Sequence, residues 1–245
     1  MKIKSYTQTH DSKLIKNNFK KFSSEEHSQI SQKENFYHDK DMLLKDNPLT
    51  EIKKKLLSVI KDRVSKENYR NILSIGSGNC VDEWRLQKIL GEGCNVTASE
   101  FDNHFINQSK KFFPEIKTIF FNFEDESFAD LKDEYDLIYF SVSLYVLDDK
   151  EFLTLLKAIK IAGVKEIIDL HGGIHRKIDV FKMIAKGFGK LILRPFSFFK
   201  LENKGKFHGY SRSKKDLLKL YKKCGWKVTE ASEDFGKHKK LFILN

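Results

Sequence analysis

Arginine is scarce in this sequence: only 6 of its 45 cationic side chains are guanidinium groups (Arg63, Arg70, Arg85, Arg176, Arg194 and Arg212). Arginine is the residue best shaped for bidentate phosphate and guanine contacts. A net charge of +11 built on lysine therefore speaks for solubility and loose association more than for nucleic-acid recognition. Cysteine is sparse too. Cys80, Cys94 and Cys224 are odd in number and have no C-x-x-C spacing, which argues against a disulfide framework or a zinc site and predicts reduced thiols. No apolar run approaches the roughly 18 residues that would span a bilayer, and the opening residues MKIKSYTQTHDSKLIK are polar. The expectation is a cytoplasmic chain with neither a transmembrane helix nor a signal peptide.

What the sequence does contain is a core. Over 245 residues, 40% are hydrophobic and 13% aromatic, enough for one domain with a modest appendage. Cations outnumber acids 16 to 10 in residues 1–70 and 19 to 6 in residues 171–245, whereas acids lead 18 to 10 in residues 71–170. Residues 1–48, polar and lysine-rich and ending at Asn47-Pro48, read as an N-terminal extension or cap. The domain proper is expected over 49–245.

Periodicity within that domain alternates. LTEIKKKLLSVIKDRV sets Leu49, Ile52, Leu56, Leu57, Ile60 and Val64 on one helical face behind a Thr50 cap. Strands are expected at 71–75, at 95–99, around 117–123, from Tyr135 onward, and in VKEIIDLHGG. Helices are expected near 81–90, near 103–113 before Pro114, and in KEFLTLLKAIKIAG. Such βα repetition implies a mostly parallel sheet covered by helices on both faces, with ligands outside the carboxyl ends of the strands. A basic, phenylalanine-rich stretch at about 174–207, broken at Arg194-Pro195, reads as an insertion over those ends. Ser213 and Asp216 then mark a helix start and Cys224-Gly225 its stop, before two closing strands in WKVTEA and KKLFILN that suit an antiparallel hairpin at the sheet edge.

The stretch with most chemical information is ILSIGSGNCVDEW, residues 72–84. Glycines between a first strand and a first helix let backbone approach a ligand closely. A dinucleotide enzyme wants G-x-G-x-x-G for its pyrophosphate, but the third glycine position is Val81, followed by Asp82, and a carboxylate there repels phosphate. S-adenosylmethionine carries a sulfonium and an ammonium that a nearby acid favours. At the end of the second strand, Glu100 is placed to accept two ribose hydroxyls and Phe101 to lie along an adenine, although an acid there serves NAD equally.

The glycine loop and the whole succession of elements resemble the class I S-adenosylmethionine-dependent methyltransferases, over about residues 49–170 and again 207–245. That resemblance implies a doubly wound, mostly parallel seven-stranded Rossmann-like α/β sheet. It implies S-adenosylmethionine as cofactor, with Gly76, Ser77 and Gly78 near its methionine part, Glu100 on the ribose, and Phe101, Phe123, Glu124 and Asp125 around the adenine, while Asp82 is the nearby acid that suits its cationic groups. It also puts Ser141, in YDLIYFSVSLYVLDD, beside the cofactor and Tyr145 near the acceptor.

Methyl transfer from a sulfonium is an in-line displacement in which alignment supplies much of the acceleration. A hydroxyl acceptor also needs proton removal, for which His171 is the first candidate, ahead of His208 and Tyr145. His171 and His175 are spaced i, i+4 near Asp169, but two glycines intervene, no further ligand is persuasive, and no metal is expected. The acceptor expected is a small molecule or glycan precursor, with residues 176–206 acting as a lid over an anionic molecule, as a contact with an anionic membrane, or as a plain cap. Three alternatives stay open: an RNA or protein methyltransferase, an NAD-dependent reductase, and a non-catalytic binding protein that keeps the fold.

Overall fold

The computed structural model describes residues 37, 39–121, 133–174, 210, 212–232, 235–236 and 239–245. Helix α1 (Lys40–Asp46) begins at an Asp39 cap, and α2 (Glu51–Glu67) begins where the Thr50 side chain accepts from the Lys53 amide. The chain then alternates: β1 (Asn71–Ile75), α3 (Val81–Leu90), β2 (Asn95–Glu100), α4 (Asn103–Phe112), β3 (Lys117–Phe120), β4 (Leu137–Ser141), α5 (Asp149–Ile161) and β5 (Glu166–His171). Helix α6 (Lys214–Lys223) and strands β6 (Val228–Ser232) and β7 (Lys240–Leu244) close it.

The strands form one seven-stranded sheet in the order β3-β2-β1-β4-β5-β7-β6. Pairs β1–β2, β1–β4, β2–β3 and β4–β5 are parallel, and β7 runs antiparallel to both β5 and β6. The expected doubly wound architecture and its edge hairpin are thus present. Alternation along each strand feeds two layers. Leu73, Ile138, Phe140, Ile167 and Phe242 pack under α5 and α6, while Ile72, Leu137, Tyr139, Ile168 and Ile243 pack under α2 and α3. A third cluster joins Leu43 of α1 to Val81, Ala98, Phe112 and Phe113.

Helix α1 is the element that composition hid. Its sequence KDMLLKD looked like part of a polar extension, yet Leu43 is fully buried and Lys40 lies over the rings of Trp84 and Phe113, each at 4.6 Å. One apolar anchor with cation–π contacts suffices to dock so short a helix. The N-terminal residues 1–36, the segments 122–132 and 175–209, and with them most of the expected insertion, lie outside the described residues.

A largely buried ion pair ties α2 to the sheet. Glu166, fully buried at the start of β5, accepts twice from one guanidinium edge of Arg63 of α2, with Nε to Oε1 at 2.9 Å and Nη2 to Oε2. Arg63→Ala strands that carboxylate, and urea unfolding is expected to show a loss of about 3 kcal/mol. The double replacement Arg63→Met, Glu166→Leu, which removes both charges, is expected to recover stability to within about 1 kcal/mol of the parent.

Candidate functional site

Strands β1 and β4 lie side by side, but β1 leads into α3 on one face and β4 into α5 on the other. The sheet therefore opens a crevice at their carboxyl ends, and the glycine loop sits there. Gly76 and Gly78 both have positive φ, +75° and +57°. A Cβ on Gly76 would stand 3.0 Å from Ser143 Cβ, so this glycine lets the loop after β4 come close, and the Ser143 hydroxyl donates to the Ile75 carbonyl at 2.9 Å. A Cβ on Gly78 would meet nothing within 4 Å. The open space for a ligand is at Gly78. Across the crevice Val142 holds φ +61°, a strained conformation for a β-branched side chain, immediately beyond Ser141.

A cavity of about 280 Å³ opens over this loop, lined by Gly76, Ser77, Gly78, Asn79, Asp82 and Phe105 and closed on the N-terminal side by Tyr37, Asn47 and Lys53. Asp82 reaches it with its charge matched: Lys53 lies at 2.9 Å and Arg85 at 3.3 Å, and Arg85 also donates to the Asn47 carbonyl at 2.7 Å. These contacts fasten the α1–α2 connection to the first turn of α3. Ser77 is bound into the loop, donating to the Ser99 carbonyl at 3.2 Å.

Glu100 is buried at the end of β2 and folds back onto the loop. Its Oε2 accepts from the Gly78 amide at 2.8 Å, and Oε1 accepts from the amides of Phe101 at 2.9 Å and Asp102 at 3.4 Å. Burial raises its pKa above the ordinary carboxylate value, against the three amides that favour the charge. One lone pair of Oε2 is left for a ligand.

Behind the loop lies a group that the sequence analysis did not single out. Glu83, in the first turn of α3, is buried, and its Oε1 accepts from the Ser74 hydroxyl of β1 at 2.5 Å and from the Tyr139 hydroxyl of β4 at 2.9 Å. Its Oε2 is buried with no hydrogen-bond partner. Burial, with the neighbouring Asp82 charge, pushes Glu83 up to about 7. The available signal was the spacing to Leu86, which places both side chains on the buried stripe of α3.

The remaining candidates lie apart from the cavity. Ser141 is half-buried at the end of β4, and Tyr145 follows it in a short 3₁₀ turn, its ring 3.4 Å from where a Cβ of Gly172 would stand. Burial raises the Tyr145 hydroxyl above its ordinary value. His171 ends β5 but points into the α5–α6 layer, fully buried, with Nδ1 3.0 Å from Asp169 Oδ2 and its ring edge-on to Phe152. Tyr221 donates to the same Asp169 oxygen at 2.5 Å, and His171 Nε2 has no hydrogen-bond partner. Phe123, Glu124, Asp125, His175 and His208 lie outside the described residues. Among the described residues, no group of three His, Cys, Asp or Glu could hold a metal, and no helix is long and apolar enough to cross a membrane.

Compared with known proteins, the chain matches no family model and no curated protein. Its likeness is to solved structures. Magnesium protoporphyrin IX methyltransferase from Synechocystis PCC 6803, with bound SAH, matches with a TM-score of 0.56 and 12% identity over 96% of this chain and 99% of that one. The S-adenosylmethionine-dependent methyltransferase SibL matches with a TM-score of 0.55 and 13% identity over 77% of this chain. The match spans 54% of SibL, about half its length. A Rhodobacter sphaeroides structure described as a zinc-dependent alcohol dehydrogenase matches equally well, with a TM-score of 0.55 and 12% identity over 76% of this chain and 88% of that one. The chain has the class I methyltransferase fold, and at these identities the fold is what the likeness establishes.

Glu83 makes the ligand-free protein pH-sensitive. A carboxyl whose pKa in the fold exceeds its ordinary 4.5 favours the folded state when protonated, so its contribution is fully present below about pH 4.5 and is lost as pH rises through about 7. Glu83→Gln is expected to leave stability at pH 5 nearly unchanged and to raise it at pH 8, by up to about 3 kcal/mol in denaturant titrations.

Proposed function

We propose that this chain is an S-adenosylmethionine-dependent methyltransferase acting on a small-molecule or glycan-precursor acceptor. The observation that carries this reading is the Glu100 carboxylate on the Gly78 amide, 2.8 Å away at the entrance to α3. A pyrophosphate needs that amide and cannot share it with a carboxylate, which disfavours NAD. An adenosyl ligand without phosphates offers ribose hydroxyls that a carboxylate accepts, and cationic groups that an acidic site favours.

In this reading the adenosyl ligand lies over Gly78, where the space is open, with Ser77 and Asn79 as neighbours. Glu100 takes the ribose. The three backbone amides stay in place, and the lone pair of Oε2 that they leave free accepts a ribose hydroxyl. Phe101, Phe105 and the segment carrying Phe123, Glu124 and Asp125 would flank the adenine, and Ser141 would stand beside the methionine part. Bound S-adenosylmethionine supplies an electrophilic methyl on sulfur. What the protein must add is alignment of the acceptor with that methyl, and exclusion of water.

The N-terminal extension, residues 1–48, contributes a wall to the domain at 49–245, since Tyr37 and Asn47 reach the cavity. Tyr145 is a candidate wall of the acceptor site. His171 is the candidate base, already oriented by Asp169, and its buried Nε2 serves only if acceptor entry uncovers it. The small-molecule acceptor class is supported by structural neighbours such as magnesium protoporphyrin IX methyltransferase, whose name carries a small molecule, and RNA or protein is the second reading.

Calorimetric titration tests the reading. S-adenosylmethionine is expected to bind the wild-type protein while NAD gives no heat, and Glu100→Ala is expected to weaken the adenosyl ligand by about tenfold or more, a loss of one or two charge-assisted hydrogen bonds. NAD binding, or an affinity indifferent to Glu100, would overturn it.

A further inference from the structure

Glu83 occupies an unusual position for an acid. It is buried between α3 and the sheet, with one oxygen shared by two hydroxyls and the other without a partner, and among the described residues no cation forms an ion pair with it. It adjoins the proposed cofactor cleft from behind. Ser74 lies two residues before Gly76, and Glu83 follows Asp82, which lines the cavity.

We propose that Glu83 couples binding of a cationic adenosyl ligand to release of a proton, so that the site distinguishes the charged methyl donor from its uncharged-sulfur product. This rests on the S-adenosylmethionine reading given above. A positive charge brought into the cleft is poorly screened from a carboxyl in the low-dielectric layer behind it and favours the ionised form. Binding S-adenosylmethionine converts the Glu83 carboxyl to carboxylate and sends its proton to solvent. Methyl transfer turns the sulfonium into a thioether, the attraction falls, and the carboxylate takes a proton back. Donor affinity therefore rises with pH up to the midpoint of the empty site and levels off above it, while product affinity changes less.

The surroundings leave Glu83 as the group that responds. On its own helix, Asp82 is matched by Lys53 and Arg85, and the Cys80 thiol is raised by burial far out of the neutral range. From the sheet, Ser74 and Tyr139 present hydroxyls, the latter held far above neutrality by burial. Helix α2 presents Leu56, Leu57 and Ile60 to this layer. Glu100, across the loop, is the other acid raised by burial, but it is held by three amides that favour its charge. With its midpoint at about 7, Glu83 is mostly protonated in the empty site at pH 6.5.

Calorimetry at pH 6.5 in two buffers of different ionisation enthalpy counts the protons. Binding of S-adenosylmethionine to the wild-type protein is expected to release about half a proton or more, and binding of S-adenosylhomocysteine less than about half of that. Glu83→Gln is expected to bind both ligands and to abolish the difference between them. Should that variant fail to fold, Tyr139→Phe removes one hydroxyl that favours the carboxylate and is expected to move the release to higher pH. Equal proton release with both ligands, or undiminished release in Glu83→Gln, overturns the proposal. Failure of S-adenosylmethionine to bind the wild-type protein instead overturns the cofactor reading, and this inference with it.

Discussion

The turn from β1 into α3 is pinned by a carboxyl group buried behind it, that of Glu83. Ser74 and Tyr139 sit opposite one another in the β1–β4 register, and both hydroxyls converge on one oxygen of Glu83. That arrangement pins the first turn of the helix to the two strands that part company at the crevice. With α3 held there, the four residues from Gly76 to Asn79 have little choice of path, and Gly78 is left facing open space with its amide toward Glu100. The site is thus set from behind, by polar groups in the layer where burial is most demanding of partners.

Much of this was legible in the sequence. Strand β1 and helix α3 fall at the expected residues 71–75 and 81–90, because an apolar run of strand length, then glycines, then a 3.6-residue stripe leaves few alternatives. Strand β3 ends at Phe120, earlier than the expected 123, where its pairing with β2 runs out at Glu100. Helix α1 was missed because its signal is a single buried leucine, and periodicity needs more than one turn to show. Glu83 was not singled out in the sequence. A dipole role and a buried hydrogen-bonded role look identical in sequence, and only the tertiary neighbours, two hydroxyls from strands 9 and 56 positions away, separate them.

Gly76 shows the same limit from the other side. A paired-glycine loop suggests that both glycines make room for a ligand, yet the atom a Gly76 side chain would strike first belongs to Ser143. Gly76 serves the approach of two loops and Gly78 serves the cavity. Sequence reports that backbone must pass close to something, and packing decides what that something is.

The two acids at the start of α3 divide their work by burial. Asp82 stands at the cavity wall, where Lys53 and Arg85 match its charge and where its main consequence is mechanical, fastening the N-terminal segment over the loop. Glu83, one residue on, is out of reach of any described cation and keeps its capacity to respond to charge in the cleft. A surface acid facing the ligand would be screened by water and by its own lysine, so its effect on a sulfonium would be small. The same carboxyl placed behind the loop in a low-dielectric layer acts without touching the ligand, at the cost of a destabilised fold when ionised. A protein that binds uncharged adenosyl compounds gains nothing from carrying that cost, which is why the position of Glu83 bears on what the crevice is for.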